Sequence, residues 1–193
     1  MSPEILLAAP VRLPLLGAAD ALLTRHRAGL QLIVTIGTLS VNLVIAALLM
    51  YWINENSILV LQIGKWTPTL GIVLVADRLT GLMLLVSSFV TLAVLIYASA
   101  QTISEHIEST PIAIFHPSYL LLVAGVSNAF LAGDLFNMYV GFEILLAASF
   151  VLLTLGGSAS RVRAATTYVI VSMVSSMLFL VGIASCYAAA GTV

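Results

Sequence analysis

The stretch LFNMYVGFEILLAASFVLLTL, residues 135–155, contains a single charged side chain, Glu143. A helix needs about 20 largely apolar residues to cross the hydrocarbon core of a bilayer, so this stretch reads as a membrane span. Five further runs read the same way, at residues 5–23, 30–52, 79–98, 119–132 and 165–189. Composition agrees. Of 193 residues, 61% are hydrophobic and only 8% charged, against about 25% charged in an average soluble protein. A chain this poor in charge cannot cover a water-facing surface, which excludes a soluble domain and a disordered chain alike. The expected fold class is an all-α integral membrane protein with six transmembrane helices.

Residues 58–63 and 71–75 break the helical pattern. They are short runs of Ile, Leu and Val around Gly64-Lys65-Trp66-Thr67-Pro68-Thr69, and they predict a short β-hairpin over 58–75, outside the membrane between helices 2 and 3. Asp77 stands where the third helix needs an N-cap. His116-Pro117 precedes the short fourth run, and a proline in the first turn lacks only an N–H that the turn does not use, so helix 4 is expected to start there. The chain then divides into 1–98 (three leading helices and the hairpin), a loop over 99–118, and helices 4–6 over 119–193.

Arg25 and Arg27 lie between spans one and two, and Arg161 and Arg163 between spans five and six. The excess of positive charge on cytoplasmic loops places both arginine loops, and 99–118, in the cytoplasm. Both termini are then outside, in a multi-pass protein of the plasma membrane. Arg12, between Pro10 and Pro14, is read as a sign that the first span is offset. The net charge of −1 without a basic cluster gives no reason to expect a nucleic-acid partner. One cysteine and three scattered histidines suggest no metal site, and no nucleophile–base pair, phosphate loop or haem pair emerges. No cofactor is expected.

Glu143 is the residue to explain. It lies eight residues into its span, about 12 Å from the start, near the bilayer centre. An ionised carboxylate there is costly, so it must face the bundle interior, find a cation or stay protonated. A proton relay needs a group of that kind, whereas the plainer reading is a structural hydrogen bond to a neighbouring helix. Tyr139, Phe136, Phe150 and Thr154 lie within about 40° of it around the helix. In span six, Tyr168, Ser172, Ser175 and Ser176 recur at helical spacing, fit for close packing or for a water-lined path. Ser127 and Asn128 in span four admit the same two readings. His116 could exchange protons at the cytoplasmic mouth.

Residues 115–157, FHPSYLLLVAGVSNAFLAGDLFNMYVGFEILLAASFVLLTLGG, resemble the signature of the large antiporter-like subunits of Mrp-type cation/proton antiporters and of respiratory complex I. The segments GKWTPTLGIVLVADRLTGLML (64–84) and YVIVSMVSSMLFLVGIASCYAAAGT (168–192) extend the likeness, the first towards the Mrp branch and its D-type subunits. The resemblance implies the N-terminal part of a fourteen-helix fold with two inverted repeats, and a chain that is a fragment, a truncated product or one piece of a divided subunit. It implies that Glu143 is the family's essential glutamate, whose lysine partner on helix seven falls beyond Val193. It further implies other Mrp subunits as partners in a hetero-oligomeric membrane complex, and protons and Na+ as the transported ions. The alternative it leaves open is a proton-pumping subunit of complex I or of a membrane-bound hydrogenase. A purely structural membrane scaffold is the competing reading from another class.

Overall fold

The computed structural model describes residues 3–56, 58–63, 71–105 and 112–191. These residues form six helices and one hairpin: α1 (Pro3–Leu23), α2 (Ala28–Asn56), β1 (Leu59–Ile63), β2 (Ile72–Ala76), α3 (Arg78–Glu105), α4 (Ile112–Leu131), α5 (Leu135–Thr154) and α6 (Ala159–Ala190). All six helices are long and apolar enough to cross a membrane. The strands pair antiparallel in a register from Leu59↔Ala76 to Ile63↔Ile72. The turn at Thr67-Pro68, together with Lys65, lies outside the described residues.

Two expected boundaries need correction. The 99–118 segment is not a loop through most of its length, because α3 runs on to Glu105 and α4 begins at Ile112. Pro117 therefore sits inside α4 and not at its start. A proline inside a helix removes the bond its N–H would make to the carbonyl four residues earlier, here that of Ala113. The buried Gln31 of α2 takes that place, donating through Nε2 to Ala113 O at 2.9 Å and to Ala21 O near the end of α1 at 3.0 Å. One side chain thus closes the ends of three helices together. Arg12 also differs from expectation. It falls near the middle of the 21-residue α1, exposed on its surface, so the span is not offset around it.

Two apolar clusters hold the bundle. At the hairpin end, Leu7, Leu49, Ile53, Leu84 and Leu131 meet Leu74 and Ala76 of β2. At the other end, Ala18, Ala21, Leu39, Leu95, Leu120 and Val123 pack together, with Leu152 of α5 against them. Asp77 caps α3 as its position predicts, accepting the Thr80 N–H at 2.8 Å.

Helices α4 and α5 cross at unusually close range. A Cβ on Gly125 would stand 2.8 Å from Leu145 N, and one on Gly141 2.9 Å from Ala129 N. Small residues at both positions are what let the two backbones approach. The start of α5 is fixed by Asp134. One of its carboxylate oxygens accepts the Asn137 N–H at 2.6 Å and caps the helix, while the other accepts the Val73 N–H of β2 at 3.3 Å. Helix α6 is different in kind. It packs chiefly against α5, and only 6% of its span residues are buried.

Candidate functional site

The seam between α5 and α6 collects the polar residues of both. Glu143 is half-buried on α5, one turn below Tyr139, as a spacing of four residues requires. Ser172 and Ser176 face them from α6 by the same periodicity. Ser176 Oγ donates to a carboxylate oxygen of Glu143 and is also hydrogen-bonded to the Tyr139 hydroxyl at 3.2 Å. A carboxyl and two hydroxyls therefore form one continuous chain of exchangeable protons. A second tie, between Ser149 Oγ and the Tyr168 hydroxyl at 2.9 Å, holds the helices further along the seam.

Grooves open on both sides of this chain. The larger, about 670 Å³, is lined by Tyr139, Phe142, Glu143, Ser172, Ser176 and Phe179. The smaller, about 270 Å³, shares Tyr139, Glu143, Ser172 and Ser176 but is walled by Phe150 and Met173. Phe179 closes one end of the larger groove, its ring 6.0 Å from that of Tyr139 and 6.1 Å from that of Phe142. The walls are mostly apolar. Among the polar lining groups Ser176 bonds Glu143 and Tyr139, whereas Tyr168 bonds Ser149, and Thr167 and Ser175 bond carbonyls of their own helix.

Of the residues singled out from the sequence, Glu143, Tyr139, Ser172 and Ser176 come together. Thr154 does not. Its hydroxyl donates back to Phe150 O and Val151 O of its own helix, about 16 Å along α5 from Glu143. His116 does not reach the seam either. It is buried on α4, and its Nδ1 has no partner among the described residues. Asn128 serves packing, donating to Asn137 O and Oδ1 at 3.1 Å each across the α4–α5 contact. Sequence reasoning missed Ser149 and Phe179. Phe179 stands one turn beyond Ser176, so helical spacing could have found it. Among the described residues no His, Cys, Asp or Glu group could hold a metal ion.

Residues 132–193, which include this seam, match the family described as "NADH:quinone oxidoreductase/Mrp antiporter, TM". The chain is 37% identical over 183 residues to the D-type subunit of the Na+/H+ antiporter of Alkalihalophilus pseudofirmus, covering 95% of this chain and 36% of the relative. Its structure resembles a chain of the Mrp complex from a Dietzia species with a TM-score of 0.88 and 32% identity, over 100% of this chain and 36% of the other. A chain of an archaeal membrane-bound sulfane sulfur reductase matches with a TM-score of 0.88 at 22% identity, over 98% of this chain and 38% of that one, and shares the fold. The chain therefore spans somewhat more than a third of the length of these three proteins.

Proposed function

The chain belongs to the family of membrane subunits shared by Mrp antiporters and NADH:quinone oxidoreductases, and from that premise we propose that it supplies the Glu143-bearing helices of the D-type subunit in a multisubunit Na+/H+ antiporter. The observation that carries the reading is the hydrogen-bonded chain Glu143–Ser176–Tyr139 between two open grooves.

A carboxyl near the middle of a span is cheapest to hold without charge. When protonated, Glu143 can donate to Ser176 Oγ. When ionised, it accepts from the same hydroxyl, so Ser176 serves both states without moving either helix. A cation drawn into a groove favours the ionised state by direct attraction across a low-dielectric gap, and the proton then leaves along the hydroxyl chain. The resemblance supplies such a cation in the form of a lysine ammonium on a further helix. Alternating the two states moves charge along the membrane midplane. The other antiporter subunits are the proposed partners, and Na+ and H+ the exchanged ions.

We read the arginine loops as cytoplasmic. Their placement on one side agrees with Leu152, near the end of α5, packing against the cluster that holds Ala18 and Ala21 near the end of α1. The hairpin lies at the opposite, outer end.

The test is Glu143→Gln in the complete complex, which keeps size and hydrogen bonding but removes the titrating proton. Cation/proton exchange in vesicles should fall at least about tenfold while the complex still purifies intact, since proton-transfer groups contribute factors of about 10² to 10⁴. Normal exchange by the Gln variant would reduce Glu143 to a packing residue and favour the scaffold reading.

A further inference from the structure

Helix α1 carries a charge of each sign on one outward face. Arg12, Leu16 and Asp20 follow one another at single-turn intervals, and all three are exposed. Leu15 and Leu23 flank them, and Leu16 is 65% exposed. Neither Arg12 nor Asp20 forms an ion pair among the described residues. Ala19 and Leu22 are exposed beside them, and the opposite face of α1 packs against α2, α4 and the hairpin. A guanidinium midway along a membrane helix is not left facing hydrocarbon without a counter-charge.

We infer that this face of α1 docks a transmembrane helix of another subunit, one that presents a carboxylate to Arg12 and, about 12 Å along its axis, a basic side chain to Asp20. The pairing of signs selects a protein over lipid. A headgroup phosphate reached by snorkelling would satisfy Arg12 alone. Asp20 lies towards the end of α1 that carries Arg25 and Arg27, where an anionic leaflet would repel it. A helix from the same chain that covers the Glu143 grooves must approach α5 and α6, neither of which packs substantially against α1. The exposed leucines between the charges provide the apolar contact that a helix pair in lipid requires.

This inference rests on the subunit reading only for where the partner comes from, and its test does not read ion exchange. A photo-crosslinking benzophenone amino acid replaces Leu16 in the full-length protein, within the complete complex, and adducts are identified by mass spectrometry. The expected adduct is a helix of a second subunit containing an intramembrane Asp or Glu. Arg12→Leu should lower its yield at least about tenfold, and Arg12→Lys should restore most of it. Arg12→Glu should abolish the adduct until the partner's acid is changed to Lys. Adducts with lipid only, adducts with this same chain only, or a yield indifferent to Arg12→Leu would each overturn the inference. A complex that fails to exchange ions yet forms the adduct would keep this inference and remove the antiporter reading.

Discussion

Gln31 on α2 donates a 2.9 Å hydrogen bond to Ala113 O on α4, the carbonyl that Pro117 leaves without its helical partner. Eighty-two residues separate the two in sequence, so a proline that weakens α4 locally is made good by a distant amide. The same amide holds Ala21 O at 3.0 Å. The repair and the three-helix junction are one interaction.

Gln31→Leu should therefore leave Ala113 O wanting a donor, while Ala21 O keeps the Thr24 hydroxyl at 3.3 Å, and cost about 1 to 3 kcal/mol, as one buried unsatisfied group does. Adding Pro117→Ala gives Ala113 O a helical donor again, and most of the loss should return. Denaturation in mixed micelles of the single and double variants measures both numbers. A loss under about 0.5 kcal/mol in the single variant would mean that water replaces the amide without penalty.

At the seam, Ser176→Ala removes the hydroxyl between Glu143 and Tyr139 but leaves the carboxyl in place. Exchange in the complete complex should drop about ten- to a hundredfold, in keeping with about 1.5 to 3 kcal/mol for a hydrogen bond to a charged group. Ser176→Thr keeps the hydroxyl and should retain most of the rate. Equal rates for the Ala and Thr variants would take Ser176 out of the proton path.

Asp77 gives a pH signature outside the membrane. Its hydrogen bond from the Thr80 N–H holds its carboxyl below the usual carboxylate value. A carboxyl depressed in the folded state stabilises above its unfolded value, near about pH 4, and loses that stabilisation as pH falls through the folded value. Asp77→Ala should cost about 0.5 to 1 kcal/mol at about pH 7, as N-caps do. The gap between variant and parent should narrow as pH falls below about 4 and close once the pH is below the folded value. A gap that does not narrow at all in acid would show that the cap acts without its charge.

Orientation is checked with His26→Cys and Ser160→Cys, each in a Cys186→Ser background because Cys186 is exposed. An impermeant thiol reagent applied to intact cells should label neither. Labelling of both would turn the molecule over in the membrane.

The helices and the hairpin could be read directly because their signals are local: runs of apolar residues, a break rich in β-branched residues, and an aspartate ahead of a span. Half of the site was legible for the same reason. Tyr139 and Glu143, like Ser172 and Ser176, are one turn apart, and periodicity alone puts each pair on one face. Thr154 satisfies the same angular rule and still fails, because angle says nothing of distance along the axis and its hydroxyl is taken by its own backbone. Pro117 could not be read correctly without Gln31. Asp134 looks like an ordinary cap until the Val73 N–H is seen on its second oxygen. Tertiary partners of this kind carry no periodic mark.

The bare surface of α6 bears on how the molecule is made. Helices α1 to α5 can settle against one another as they emerge, because α5 already meets α4 through its glycine crossing. Helix α6 enters the bilayer with almost nothing to lean on but α5. During synthesis there is thus an interval in which Glu143 is inside the bilayer before the Ser176 hydroxyl has reached it. Until α6 arrives, a carboxyl at that depth is cheapest to carry uncharged, so the order in which the two helices enter the bilayer decides when Glu143 first meets a hydrogen-bonding partner on α6.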